Sequence, residues 1–154
     1  MRKHAWFLSV VILLVTAAAL MAAEDANMGT WILNEGKSKI TGNAKNTKVV
    51  YEAAGDSIKV TVDGVDKDSK AIHNEWTGKF DGKDYPLTGD ATADTRSYKK
   101  TGARTLALDN KKGGKTTLTG KITIAADGKS RTVAVSGTDA DGKKVSNTFV
   151  YDKQ

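Results

Sequence analysis

The chain reads as an all-β protein: an antiparallel up-and-down meander of about eight to ten strands that closes into a barrel, with a β-sandwich as the alternative. Three observations predict it. Apolar residues recur at every second position over most of the chain, as in Ile58, Val60 and Val62 against Lys59, Thr61 and Asp63. Turn dipeptides punctuate these runs: Gly55-Asp56, Asp63-Gly64, Asp81-Gly82, Gly113-Gly114, Asp127-Gly128 and Asp141-Gly142. Each such pair supplies the positive φ angles of a tight hairpin and so predicts a chain reversal. Finally, alternation leaves one face polar, which excludes a parallel sheet whose strands would be apolar on both faces.

In order along the chain, Gly29, Trp31 and Leu33 share the first face, followed by a polar stretch over 34–46, whose weakly helical part 34–45 is predicted to be a turn or short lid. Val49 and Tyr51 come next, then Ile58, Val60 and Val62, then Ile72, Asn74, Trp76, Gly78 and Phe80 opposite His73, Glu75, Thr77 and Lys79. Leu106 with Leu108, then Leu118, Gly120, Ile122 and Ile124, then Val133 with Val135 continue the pattern, and Val145, Asn147, Phe149 and Tyr151 end it. A meander this long relieves its exposed edges by closing on itself.

Residues 1–23 have the three parts of a secretory signal. Arg2, Lys3 and His4 are basic, 5–20 is almost wholly apolar, and small residues crowd 17–23 before Glu24 and Asp25. An uncleaved anchor is the alternative, because the apolar run is close to the roughly 17 to 20 residues that span a bilayer. The small residues favour cleavage, leaving 24–154 as one domain that is exported to the periplasm or beyond, without stable membrane insertion. The chain has no cysteine, so its fold rests on packing and thiol chemistry is excluded. Without Arg2 and Lys3 the formal charge of +6 falls to about +4, and the lysines are interspersed with acids. Arg96, Tyr98, Lys99, Lys100 and Arg104 come nearest to a basic patch and are read as a solvated strand end, so no nucleic-acid partner is expected.

Catalytic and metal chemistry find little purchase. His73 is the only histidine after His4, and with Glu75 it falls short of the three or four ligands that zinc needs. The acidic stretches at 63–68 and 139–142 lack the bidentate glutamate of a calcium loop, the twelfth places being Thr77 and Val150. Asp90 and Asp94 form a carboxylate pair read as loop solvation. There is no G-x-S-x-G elbow, P-loop or dinucleotide fingerprint. The expectation is a non-enzyme without metal or cofactor.

What remains is the inward face. Trp31, Tyr51, Ile58, Val60, Trp76, Phe80, Leu106, Leu118, Ile122, Val135 and Phe149 are predicted to line it, with Asn74, Arg104 and Asn147 as orienting polar groups. Either these side chains surround a small apolar or amphipathic ligand, or they meet and fill the centre of a structural, interaction or inhibitor module. The protein partner of such a module is not indicated.

Two stretches carry a resemblance. Gly29-Thr30-Trp31 resembles the G-x-W signature opening the first strand of calycins, the lipocalins and fatty-acid-binding proteins. The resemblance implies that Trp31 plugs the closed end against a basic side chain from a late strand, for which Lys153 and Arg131 are candidates. More broadly, GTWILNEGKSKI (29–40), YEAAGDSIKVTVDGVD (51–66), HNEWTGKFDGKDYPLTG (73–89) and VYDK (150–153) are similar to a family of uncharacterised exported bacterial proteins. That likeness implies a lipocalin-like fold and brings no substrate or catalytic residue.

Overall fold

The computed structural model describes residues 25–139 and 141–154. The predicted export signal lies outside the described residues. Ten strands follow in sequence: β1 (Gly29–Leu33), β2 (Lys45–Ala54), β3 (Ser57–Val65), β4 (Ala71–Gly78), β5 (Tyr85–Thr88), β6 (Thr95–Gly102), β7 (Thr105–Lys112), β8 (Lys115–Ile124), β9 (Ser130–Thr138) and β10 (Lys144–Lys153). Each pairs antiparallel with its neighbours in the chain, and β1 also pairs with β10 through Trp31↔Lys153 and Leu33↔Tyr151, closing the barrel. The meander closes as a barrel and not as a sandwich.

Alternation explains the wall. On β3, Val60 and Val62 are buried, and on β10 Asn147, Phe149 and Tyr151 are buried, while the residues between them face out. Two strands are too short to cover their neighbours, and connectors complete the wall. β1 ends at Leu33, so the following segment runs along β10: Lys39 N–H donates to Thr148 O at 2.7 Å and Thr148 N–H donates to Lys39 O at 2.9 Å. This segment includes a short 3-10 turn at Glu35–Lys37. Likewise β5 reaches only the upper part of β6, and the β4–β5 connector pairs lower down, with Gly82 N–H donating to Tyr98 O at 2.8 Å.

Two sequence expectations are corrected. Asp63-Gly64 is not a turn; both lie inside β3, and the chain reverses afterwards over 66–70. The β4 run stops at Gly78, so Phe80 sits in a bend after the strand. Gly64 has a packing reason instead, since a Cβ there would collide with the carbonyl oxygen of Lys45. Gly137 does the same in β9 against Thr117 O. The two glycines are equivalent members of an internal repeat: Val60, Val62, Gly64, Asp66, Asp68, Lys70 and Asn74 recur at identical spacing as Val133, Val135, Gly137, Asp139, Asp141, Lys143 and Asn147. Hairpin β3–β4 and hairpin β9–β10 are thus two versions of one unit.

Candidate functional site

The interior has a closed base and a polar upper tier. The base lies where β1 starts. Trp31 is fully buried, and its Nε1–H donates to Asn27 O at 2.8 Å in the segment that leads into β1. Arg131, 2 % exposed, stacks its guanidinium 4.8 Å from the Trp31 ring, 4.9 Å from Tyr51 and 5.0 Å from Tyr151. Lys153 Nζ lies 5.3 Å from the same tryptophan. Both basic candidates therefore meet Trp31, and Arg131 is the buried one. Its Nε and Nη1 have no hydrogen-bond partner among the described residues. The three electron-rich faces offset part of the cost of desolvating the charge.

A second aromatic group spans the middle. Tyr98 packs edge-on to Trp76 at 4.8 Å, to Phe80 at 5.6 Å and to Tyr51 at 6.2 Å. Trp76 Nε1–H donates to Arg96 O at 2.8 Å, tying β4 to β6 across the short β5. Burial pushes the Tyr98 phenol well above the usual tyrosine range, and the neighbouring Tyr51 adds to it. Burial pushes Tyr151 the same way. Both stay neutral hydrogen-bonding groups at any physiological pH.

Above them Asn74, Arg96, Asn110 and Asn147 are buried. Arg96 Nε–H donates to Asn110 Oδ1 at 2.7 Å, and Nη2 faces Asp90 Oδ2 at 4.0 Å. Asn147 Oδ1 accepts from Thr41 N–H at 2.7 Å.

Of the residues predicted inward, Trp31, Tyr51, Val60, Asn74, Trp76, Leu106, Ile122, Asn147 and Phe149 are buried in the barrel. Ile58, Phe80, Leu118 and Val135 are half-buried against the same core. Arg104 is a correction: it is exposed, in the turn between β6 and β7, because β7 and its alternation begin only at Thr105. Arg96 and Tyr98 correct the reading of a solvated strand end, since both are buried while Lys99, Lys100 and Arg104 are exposed. Counting every second residue back from Tyr98 would have found Arg96; the surrounding positive charge masked the pattern. Asn110 was missed as well, although it continues the inward series of Leu106 and Leu108.

His73 and Glu75 face outward. His73 Nδ1 meets Asp63 Oδ1 at 2.6 Å and Nε2 meets Glu75 Oε1 at 3.4 Å, all three side chains well exposed. The acidic stretches form hairpin loops in which Asp66 Oδ1 accepts from Asp68 and Lys70 N–H and Asp139 Oδ1 from Asp141 and Lys143 N–H. Asp94 Oδ2 accepts from Gly113 N–H at 3.0 Å. Among the described residues no three carboxylate or imidazole groups are placed to hold a metal.

An open groove of about 500 Å³ lies at the end of the barrel opposite Trp31, lined by residues 116–119 of β8, 136–138 of β9 and 144–146 of β10. Half-buried Leu118 and Val145 give it apolar surface, and Lys144 is exposed at its edge. No protein-family model and no curated protein matches the chain. Among solved structures it is similar to EF1p2_mFAP2b bound to DFHBI, with 14% identity, a TM-score of 0.47 and coverage of 84% of this chain and 94% of that one. It is also similar to a redesigned β-barrel, b11L5F_LGL, with 14% identity, a TM-score of 0.43 and coverage of 84% and 92%.

Proposed function

We propose that the chain is an exported, non-enzymatic lipocalin-like protein that binds a small amphipathic ligand at the open end of its barrel, not at the centre. The groove between β8, β9 and β10 carries this reading. Its volume of about 500 Å³ falls in the range of small-molecule sites. Leu118 and Val145 suit a hydrocarbon part, and Lys144, exposed at the edge of the groove, suits a polar or anionic head. A central site is disfavoured because Trp31, Val60, Leu106, Trp76 and Ile122 already occupy the middle with 0–2 % exposure. Trp31 between Arg131 and Lys153 supports the calycin-like part of the reading. The basic, apolar and small-residue order of 1–23 supports export. Exposed Lys48, Thr77, Lys99, Lys121 and Thr123 on the outer wall favour water over lipid as the surroundings.

Titration with a fluorescent dansyl fatty acid tests the reading. Saturable binding is expected, and Leu118→Asp should weaken it about tenfold or more while leaving the fold intact by circular dichroism. Absence of saturable binding would overturn it. The same filled centre favours a second reading, an interaction module with no small ligand. A protein captured from envelope extract, in competition with no amphiphile, would support that one instead.

A further inference from the structure

Asn74 and Asn147 hold the same place in the two matching hairpins, inward on the strand that follows the loop. Among the described residues only one of them is satisfied. Asn147 Oδ1 accepts from Thr41 N–H, whereas Asn74, 3 % exposed, has no partner for its Oδ1 among the described residues. A buried amide oxygen without a donor costs about 1–3 kcal/mol, and folded proteins rarely leave one.

The surroundings of Asn74 indicate what the donor is. Gly89 crosses so close that a Cβ on it would lie 3.1 Å from the Asn74 Cα and would collide with His73 O. Asp90 is the next residue in the chain. Asp90 Oδ1 is engaged by Thr92, accepting from its N–H at 2.8 Å and its Oγ1–H at 2.7 Å. Asp90 Oδ2 faces Arg96 Nη2 at 4.0 Å, beyond hydrogen-bond range and at a separation one bridging oxygen can span. The guanidinium cannot drift toward its partner, because Nε is tied to Asn110 Oδ1 at 2.7 Å and Arg96 O to the Trp76 indole. Ala93 in the same loop is buried.

We propose that Asn74, Asp90 and Arg96 form a hydroxyl-binding site beneath the 89–94 loop. One hydroxyl oxygen there accepts from Arg96 Nη2 and donates to Asn74 Oδ1; if it is water, its second hydrogen goes to Asp90 Oδ2. The source is either water or the hydroxyl of a polyol. The site is separate from the groove at β8–β10 and stands or falls independently of amphiphile binding.

Two measurements test it. Asn74→Leu removes the orphan acceptor at nearly constant volume. If the oxygen is truly partnerless, the substitution raises Tm; if the site is occupied, it lowers Tm by roughly 3–8 °C, the same loss expected of Asn147→Leu at the satisfied twin. High-resolution crystals grown without polyol, and the same crystals soaked in glycerol, separate the sources. A single oxygen in both assigns water, and a larger molecule appearing only after the soak assigns a polyol hydroxyl. No density between the three side chains in either crystal, or a rise in Tm for Asn74→Leu, overturns the proposal.

Discussion

Arg131 sets two opposing terms against each other. Its guanidinium is buried with Nε and Nη1 unpaired among the described residues, which costs several kcal/mol, and three aromatic rings within 5.0 Å return part of that. Methionine would keep the packing and remove the desolvation cost, so Arg131→Met should change stability by no more than about 1 kcal/mol. Lysine would keep a charge that is more strongly hydrated, and so costlier to bury, and would lose the planar stack, so Arg131→Lys should cost about 2–3 kcal/mol. Urea denaturation of both variants checks the order, and a lysine variant as stable as the methionine one would contradict it. The exposed His73 gives a second residue-scale test. Its hydrogen bond to Asp63, and then that to Glu75, raise its pKa above the usual histidine value. A raised folded pKa means the pair stabilises the fold below about pH 6.5 and loses that contribution as pH rises through the folded value. NMR titration should show the shift, and Asp63→Asn should bring the pKa down. At this scale the sequence revealed most of the interior, because single-residue alternation marks it directly. It concealed Arg96 and Tyr98, whose flanking lysines imitate a solvent-facing run.

Strands with full alternation on both sides were legible as elements, and those built from partial pairing were not. β5 has four residues, contains Pro86, and registers with β4 only at Glu75↔Thr88 and Trp76↔Leu87, so no period of two could develop. No strand is accordingly predicted over residues 85–88. Asp63-Gly64 misled for the opposite reason: its turn chemistry is real, but the glycine serves a close crossing of β2 over β3. The internal repeat was the signal that could have corrected this, since Gly137 sits in an equivalent position with no aspartate before it. The crossing yields a prediction for both hairpins. A methyl group on Gly137 would meet Thr117 O and lie 2.7 Å from Leu118 Cα, and one on Gly64 would meet Lys45 O and lie 2.9 Å from Asn46 Cα. Backbone must move in either case, so Gly64→Ala and Gly137→Ala should each cost about 2–4 kcal/mol. Thermal denaturation that shows only one of them sensitive would mean the repeat is not structural at that point.

The barrel as a whole is closed by its sequence ends, β1 on β10, and this long-range seam carries Trp31 against Lys153 and Arg131. Trp76 lies on β4, bonded to β6, in the part of the wall assembled from neighbours in sequence. If the wall folded first and the seam zipped on afterwards as a separate unit, Trp31 would report a lower denaturation midpoint than Trp76. The packing argues otherwise. Tyr51 touches both regions, with its ring 6.2 Å from Tyr98 and 4.9 Å from the Arg131 guanidinium, so losing the base strips partners from the middle. One shared core predicts one transition. In protein freed of residues 1–23, and with them Trp6, Trp31→Phe and Trp76→Phe variants each keep one reporter. Each variant's fluorescence midpoint in urea should coincide with that variant's own midpoint by circular dichroism, whatever the substitution costs overall. Folding should be slow, in the millisecond-to-second range of all-β topologies, because the closing pairs are the most distant in sequence. A variant in which Trp31 fluorescence changes well before the strand signal would show that the seam opens alone, and the barrel would then be two cooperative units.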